Sequence, residues 1–285
     1  MTDNETNRII TWINPIGGLG DILMVSGVLK LVVEQNPSKR FNLIRRTSYL
    51  SILKGHPAMA EIGFPPKDAE IIGTDYWNKE ELGTDNQKAF QIIARMFGLS
   101  TPIEERLYLP GNLEEDPLLH NLIPWGKRNI LIAPSSNCPR KEMHVTIWHH
   151  LVDLLHRCGF FVVQAGRLHE QHIRNTYSIM GLTNPGQLVA LIKNFHVIIT
   201  SDNFIMHAAH LAGVPTVVLW GPTDHKTYGY AEQIHLQSPR MCSDDVECIG
   251  PGKDHTYTTP CPLGSRHCID QISPEDICKA VQSLS

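Results

Sequence analysis

Short apolar runs alternate with longer stretches of helical spacing along most of the chain. Arg8–Asn14 reads as a strand, a glycine-rich turn follows, and Asp21–Glu34 repeats its apolar positions at helical intervals. Phe41–Arg45 is a second strand, Ala69–Gly73 a further one, and Gln87–Phe97 is again helical. From Pro110 to Lys127 the pattern breaks: Pro110, Pro117 and Pro124, Gly111 and Gly126, and the acids Glu114, Glu115 and Asp116 read as a linker. The alternation then resumes with Asn129–Ala133 as strand, Val145–Cys158 as helix, Phe160–Gln164 as strand and Glu170–Ser178 as helix. Pro185–Asn194 is the next helix, His196–Thr200 a strand, Asn203–Ala212 a helix and Val214–Trp220 a strand. After Gly221 the chain turns polar and rich in Gly, Pro and Cys, and a last helix begins at Ser273, whose Ser-Pro-Glu-Asp is an N-cap with an acidic first turn. Strands alternating with helices predict parallel sheets. The break predicts two Rossmann-like doubly wound α/β domains, 1–125 and 126–285, facing across a cleft at the carboxyl ends of their strands.

Composition narrows the class. At 285 residues the chain is long enough for two domains, and 42% hydrophobic residues can fill their cores. With Lys plus Arg 25 and Asp plus Glu 29, the net charge of −4 argues against broad nucleic-acid binding, which needs a positive field. No run reaches the ~18–20 apolar residues that span a bilayer. The start, MTDNETNRII, has no basic and apolar leader pattern, so the expected location is the cytoplasm, with peripheral contact at the inner membrane compatible.

The chemistry-bearing residues fall just after predicted strands. The first turn reads Pro-Ile-Gly-Gly-Leu-Gly-Asp over 15–21. The spacing of Gly17, Gly18 and Gly20 fits neither the dinucleotide GxGxxG nor a P-loop. Asp21 at the helix start would repel a phosphate, so it is either an anionic base at the cleft edge or a simple helix cap. In the second half, Pro134–Lys141 offers the hydroxyls and N–H groups of Ser135 and Ser136 and the charges of Arg140 and Lys141, which together can hold a diphosphate; an ordinary polar loop has the same look. Glu170 can accept two ribose hydroxyls or start a helix. The richest segment is 200–224, where Asp202 is expected at a helix N-cap beside Asn203, His207 one turn further in, His210 on a neighbouring face, and Thr223 in a Gly-Pro-Thr-Asp turn at the same edge.

On GGLGDILM at 17–24, KEMHVTIW at 141–148, SDNFIMHAAHLAGVPTVVLWGPTD at 201–224 and CPLGSRHCIDQISPEDICKAV at 261–281, the sequence resembles glycosyltransferase family 9, the heptosyltransferases. The resemblance implies a GT-B architecture and transfer from a nucleotide-activated sugar, typically ADP-heptose, with inversion at the anomeric carbon and no metal in the chemistry. The acceptor it implies is lipopolysaccharide-type or another saccharide, or a glycolipid. It implies Asp21 as base, Lys141 at the donor phosphate, Glu170 at the ribose, Asp202 and His207 at the donor, and Thr223 in the family's Gly-Pro-Thr/Ser turn; Ser135, Ser136 and Asn203 are read beside them as donor-side candidates from their own polar groups. Gly18 and Gly20 fall on the acceptor side, where Arg45 and Arg46 are cationic candidates and equally fit a solvated edge. The family often has Asp-Ser/Thr-Gly before its histidine; here Asp202-Asn203-Phe204 stands instead.

Four cysteines, Cys242, Cys248, Cys261 and Cys268, lie close together near His255 and His267. They are candidates for structural Zn or Fe, as in relatives that modify autotransporter proteins and carry cysteine-bound iron; packed thiols are the other reading, since no CxxC pair occurs among them. Competing functions on the same fold are a protein-modifying heptosyltransferase, a nucleotide-sugar 2-epimerase, a non-catalytic nucleotide-sugar sensor and a metal-binding scaffold.

Overall fold

The computed structural model describes residues 10–46, 50–79, 87–111, 116–126, 128–239, 261 and 268–284. The first half runs β1 (Trp12–Asn14), α1 (Leu19–Gln35), β2 (Phe41–Ile44), α2 (Leu50–Leu53), β3 (Met59–Gly63), β4 (Ile71–Gly73) and α3 (Ala89–Met96). A short helix, α4 (Pro117–Leu122), follows within the expected linker, where Asp116 caps it by accepting from the Leu118 N–H and Pro117 fits the first turn. The second half runs β5 (Arg128–Ala133), α5 (Val145–Arg157), β6 (Phe160–Gln164), β7 (Tyr177–Ser178), α6 (Pro185–Ile192), β8 (Val197–Ser201), α7 (Phe204–Ala212), β9 (Thr216–Trp220), α8 (His225–Tyr228), β10 (Ile234–Gln237) and α9 (Pro274–Ser283).

The strands form two parallel sheets, one in the order β3-β2-β1-β4 and one in the order β10-β9-β8-β5-β6-β7. Counted from its first strand, the second sheet has the doubly wound order 3-2-1-4-5-6, and the first sheet is the leading part of the same order. The order reverses direction between β5 and β8 in one sheet and between β1 and β4 in the other. Loops leaving the two strands at such a point diverge and open a crevice.

The second sheet is covered on both faces, which is why its strands read as unbroken apolar runs. Ile130, Ile132, Val162, Val197, Ile199, Val217 and Leu219 face a core with Trp148 and Leu151 of α5 and Ile277 and Val281 of α9. Their neighbours Leu131, Val163, Ile198, Val218 and Trp220 face the other way. There they join one continuous core with Ile13, Ile22, Leu29, Leu43 and Phe90 of the first half. Helix α1 is buried along nearly its whole length and packs on α7 of the second half as well as on α3.

The expected helix over Glu170–Ser178 does not form. Residues 171–176 are irregular and lead into β7. The buried Gln164 side chain takes up the backbone there: its amide donates to the Gln171 carbonyl and its oxygen accepts the Ile173 N–H at 2.8 Å. Asn175, with φ 61, then turns the chain. The Ser273 cap is present as expected, its hydroxyl accepting the Asp276 N–H at 3.1 Å. Of the expected first strand, residues 8 and 9 lie outside the described residues and Trp12–Asn14 is paired.

Candidate active site

Both crevices open into one cavity of about 540 Å³ between the halves. Gly17, Gly18, Leu19, Gly20, Asp21, Tyr76 and Trp77 form one wall. Ser135, Ser136, Lys141, Gly166, Arg167, Glu170, Leu188, Asp202, Asn203, His207 and Tyr228 line the other.

The glycine turn shapes the first wall. Gly18 occupies the N-cap position of α1, so Asp21 is three residues inside the helix and is not itself the cap. Its Oδ2 accepts the Gly18 N–H at 2.7 Å, satisfying one of the orphan donors at the helix start. Gly17 has φ +121, and a Cβ there would lie 2.8 Å from that same carboxylate oxygen. Tyr76, in the turn after β4, donates its hydroxyl to Asp21 Oδ1 at 2.8 Å. The turn is clamped to β1 by Thr74, whose hydroxyl donates to the Ile16 carbonyl at 2.8 Å and accepts the Ile16 N–H at 2.6 Å. Burial pushes the Asp21 carboxyl above its ordinary value; the Gly18 N–H, the Tyr76 hydroxyl and the charge of Lys141 pull it back only in part. A carboxylate so placed is a stronger base than one in water.

The second wall carries a buried ion pair. Lys141 Nζ lies 2.7 Å from Asp202 Oδ2, which also accepts the Thr223 hydroxyl at 2.8 Å. Burial alone would raise Asp202, but Lys141 and Thr223 outweigh it and hold the carboxyl below its ordinary value. Burial likewise opposes the Lys141 charge, and Asp202 and then Asp21 more than restore it. Asn203, not Asp202, caps α7: its Oδ1 accepts the Ile205 N–H at 2.8 Å, and its Nδ2 donates to the carbonyls of Ala133 and Ser135. That side chain ties the ends of β5 and β8 together where the strand order reverses. Asn203, Phe204 and Ile205 at the start of α7 line the cavity, and the N-terminus of a helix favours an anion.

His207, one turn into α7, is buried and lies with its Nδ1 2.7 Å from the Tyr230 hydroxyl. A Cβ on Gly20 would fall 2.5 Å from its ring, so the motif's third glycine is the place where α1 meets this histidine. Glu170 reaches the rim and is held by Arg167 Nε at 2.6 Å. The Ser136 N–H is given to the Glu142 carboxylate at 2.7 Å. Thr223 is buried behind Asp202 and is not part of the lining. Arg140, read from the sequence beside Lys141, is buried in the fold and does not line the cavity either. Arg45 and Arg46 are exposed after β2 and stand outside the cavity wall. His210 stacks on the Tyr230 ring with centroids 3.7 Å apart. Tyr76, Trp77, Arg167, Tyr228 and Tyr230 carry no motif and were not legible from the sequence.

Cys242 and Cys248 of the cysteine cluster lie outside the described residues, while Cys261 and Cys268 are both partly buried. Among the described residues no group of three His, Cys, Asp or Glu side chains is placed to hold a metal ion. No described helix is long and apolar enough to cross a membrane.

A family model for glycosyltransferase family 9 (heptosyltransferase) matches residues 86–249. A glycosyl transferase family 9 protein from Veillonella parvula superposes with a TM-score of 0.68 at 16% identity over 97% of each chain. The dodecameric iron-containing heptosyltransferase TibC of enterotoxigenic E. coli, in complex with ADP-D-β-D-heptose, gives a TM-score of 0.70 at 13% identity over 96% of this chain and 76% of its own. E. coli heptosyltransferase WaaC with ADP-2-deoxy-2-fluoro heptose gives 0.61 at 12% identity over 96% and 99%. No curated protein sequence matches the chain. These neighbours share the two-sheet GT-B fold.

Proposed function

Given that the chain belongs to glycosyltransferase family 9, we propose that its donor is ADP-heptose and that it transfers the heptose, with inversion, to a hydroxyl of a lipopolysaccharide-type saccharide. That it is a glycosyltransferase of the heptosyltransferase family with a GT-B fold follows from the family and the fold together. The donor and the acceptor are our reading. One observation carries it: a buried carboxylate and a buried lysine stand on opposite walls of one cavity, near enough that each charge stabilises the other.

In this reading the acceptor enters along the wall of Gly18, Leu19, Gly20 and Trp77. Asp21 removes the proton of its hydroxyl as the oxygen bonds to the anomeric carbon. The bond from that carbon to the diphosphate oxygen breaks on the opposite face, and its electron pair leaves with ADP. Lys141 and the N-terminus of α7 meet the charge that develops there, while Asp202 and Thr223 hold the lysine in place. Ser135, Ser136 and Asn203 belong to the diphosphate side, and Glu170 turns from Arg167 to the ribose. No step calls on a cofactor, and a metal at the cysteine cluster would be structural. A glycolipid acceptor would bring the protein to the cytoplasmic face of a membrane.

The test is a thermal-shift panel of ADP, UDP, GDP, CMP and ADP-heptose, repeated with Glu170→Ala. A ligand at ~100 times its dissociation constant stabilises by about 2.7 kcal/mol. We expect a shift with ADP and ADP-heptose and a weaker one in the variant. A shift with UDP or GDP in their place overturns the donor.

A further inference from the structure

The hydrogen bond between His207 and Tyr230 joins two buried groups, and only one proton arrangement satisfies both. Burial, the largest effect, lowers the His207 imidazole to about 4, so at neutral pH it carries a single N–H. Burial, reinforced by Glu105 and Glu232, raises the Tyr230 hydroxyl well above its ordinary value, so it keeps its proton. If Nδ1–H donated to the tyrosine oxygen, the buried O–H would need another acceptor, and among the described residues it has none. An unmade buried hydrogen bond costs the full desolvation of the donor. If the tyrosine donates to Nδ1, both groups are satisfied and the imidazole proton sits on Nε2.

His207 Nε2 lies beside Gly20, and both residues line the cavity. This nitrogen makes no hydrogen bond among the described residues, and a Cβ built on Gly20 would lie 2.8 Å from it. The tyrosine is fixed from several sides. His210 stacks flat on its ring, with 3° between the planes, and is itself held by Glu232 at 2.5 Å. The Tyr230 carbonyl bonds His235 Nε2 at 2.9 Å.

We propose that Tyr230 is a positioning residue that locks His207 in its Nε2–H tautomer, presenting a fixed hydrogen-bond donor to an oxygen of the nucleoside diphosphate sugar. This role toward the donor rests on the function proposed above; the tautomer does not. A histidine set in this way cannot accept the acceptor's proton, so Asp21 has no competitor as base.

Long-range proton–nitrogen NMR on the whole protein, labelled with 15N-histidine, reads the tautomer directly, with His207→Gln assigning the signal among 15 histidines. We expect the Nε2–H pattern in the wild type and a mixed or reversed pattern in Tyr230→Phe, with the circular dichroism spectrum unchanged. An Nδ1–H pattern in the wild type, or an identical pattern in the variant, overturns the lock. ADP-heptose binding then reads the consequence: about tenfold weaker in Tyr230→Phe. Should that variant fail to fold, His207→Leu and His207→Gln decide the point, since glutamine keeps an N–H donor and restores most of the binding that leucine loses. Equal loss in both overturns the donor role. If ADP-heptose does not bind the wild type at all, the donor reading falls, and the NMR pattern still decides the lock.

Discussion

At the scale of single residues, Asp21, the base we propose, has a carboxyl that its buried surroundings perturb. Its raised pKa means that protons occupy it at higher pH than an ordinary carboxylate. Turnover is therefore expected to fall on the acid side above the ordinary value of 3.8. The Tyr76 hydroxyl lowers that pKa; in Tyr76→Phe the acid limb of the kcat/KM profile moves to higher pH, and an unmoved limb would sink Asp21 as the titrating base. Asp21→Asn is expected to reduce turnover by ~100-fold or more, the usual scale for a lost general base. Lys141→Ala behaves differently. It leaves Asp202 buried without its cation and is expected to cost about 3–5 kcal/mol of stability, read by urea denaturation. Asp202 is depressed in the folded state, so its contribution is present above its unfolded pKa and drains away as pH falls through the folded one, below 3.8. Asp21 was legible because the glycines that position it are its neighbours in sequence. Tyr76 was not: it reaches Asp21 across 55 residues, and only the adjacency of β1 and β4 brings it there.

Single elements show where local signals hold and where they give way. Phe160–Gln164 forms a strand with the bounds expected from its apolar run, since both of its faces are covered and nothing competes. The segment after it has helical spacing but yields to a buried side chain. Gln164 has two polar groups to satisfy, and the backbone of residues 171–173 satisfies them. Caps are local chemistry and were legible at Ser273; Ser273→Ala is expected to cost about 1 kcal/mol while leaving nucleotide binding unchanged, because α9 packs on α5 and lines no part of the cavity. Gly20 belongs to the packing of α1 on α7. A methyl group there meets the His207 ring at 2.5 Å, so Gly20→Ala must push the histidine or part the two helices. We expect it to weaken ADP-heptose binding at least tenfold although it removes no polar group; a variant that binds normally would show that this contact is slack.

At the scale of the whole molecule, the two-sheet plan was readable from alternation, but the way the halves join was not. Composition placed a linker before residue 128, and a division at 125 remains our proposal for the domains. It separates the sheets and does not separate the cores. One apolar cluster runs from Ile13 and Leu29 through Phe90 to Leu131, Ile198 and Met206. Trp125 packs edge-on against Phe195 at 5.2 Å, Asp116 accepts from Gln187 at 3.0 Å, and Lys88 bonds the Gly229 carbonyl across the same seam. Two domains that met only at a polar interface would melt separately, whereas halves sharing a core lose it together. We therefore expect a single calorimetric transition whose measured enthalpy equals the van't Hoff value, shifted as one by ADP-heptose. The same seam limits how far the cleft can open, since parting the halves widely would expose the apolar surface of α1 and α7. Two resolved transitions, with only the later residues protected by nucleotide, would show instead that the halves fold apart and that the shared core is a contact surface.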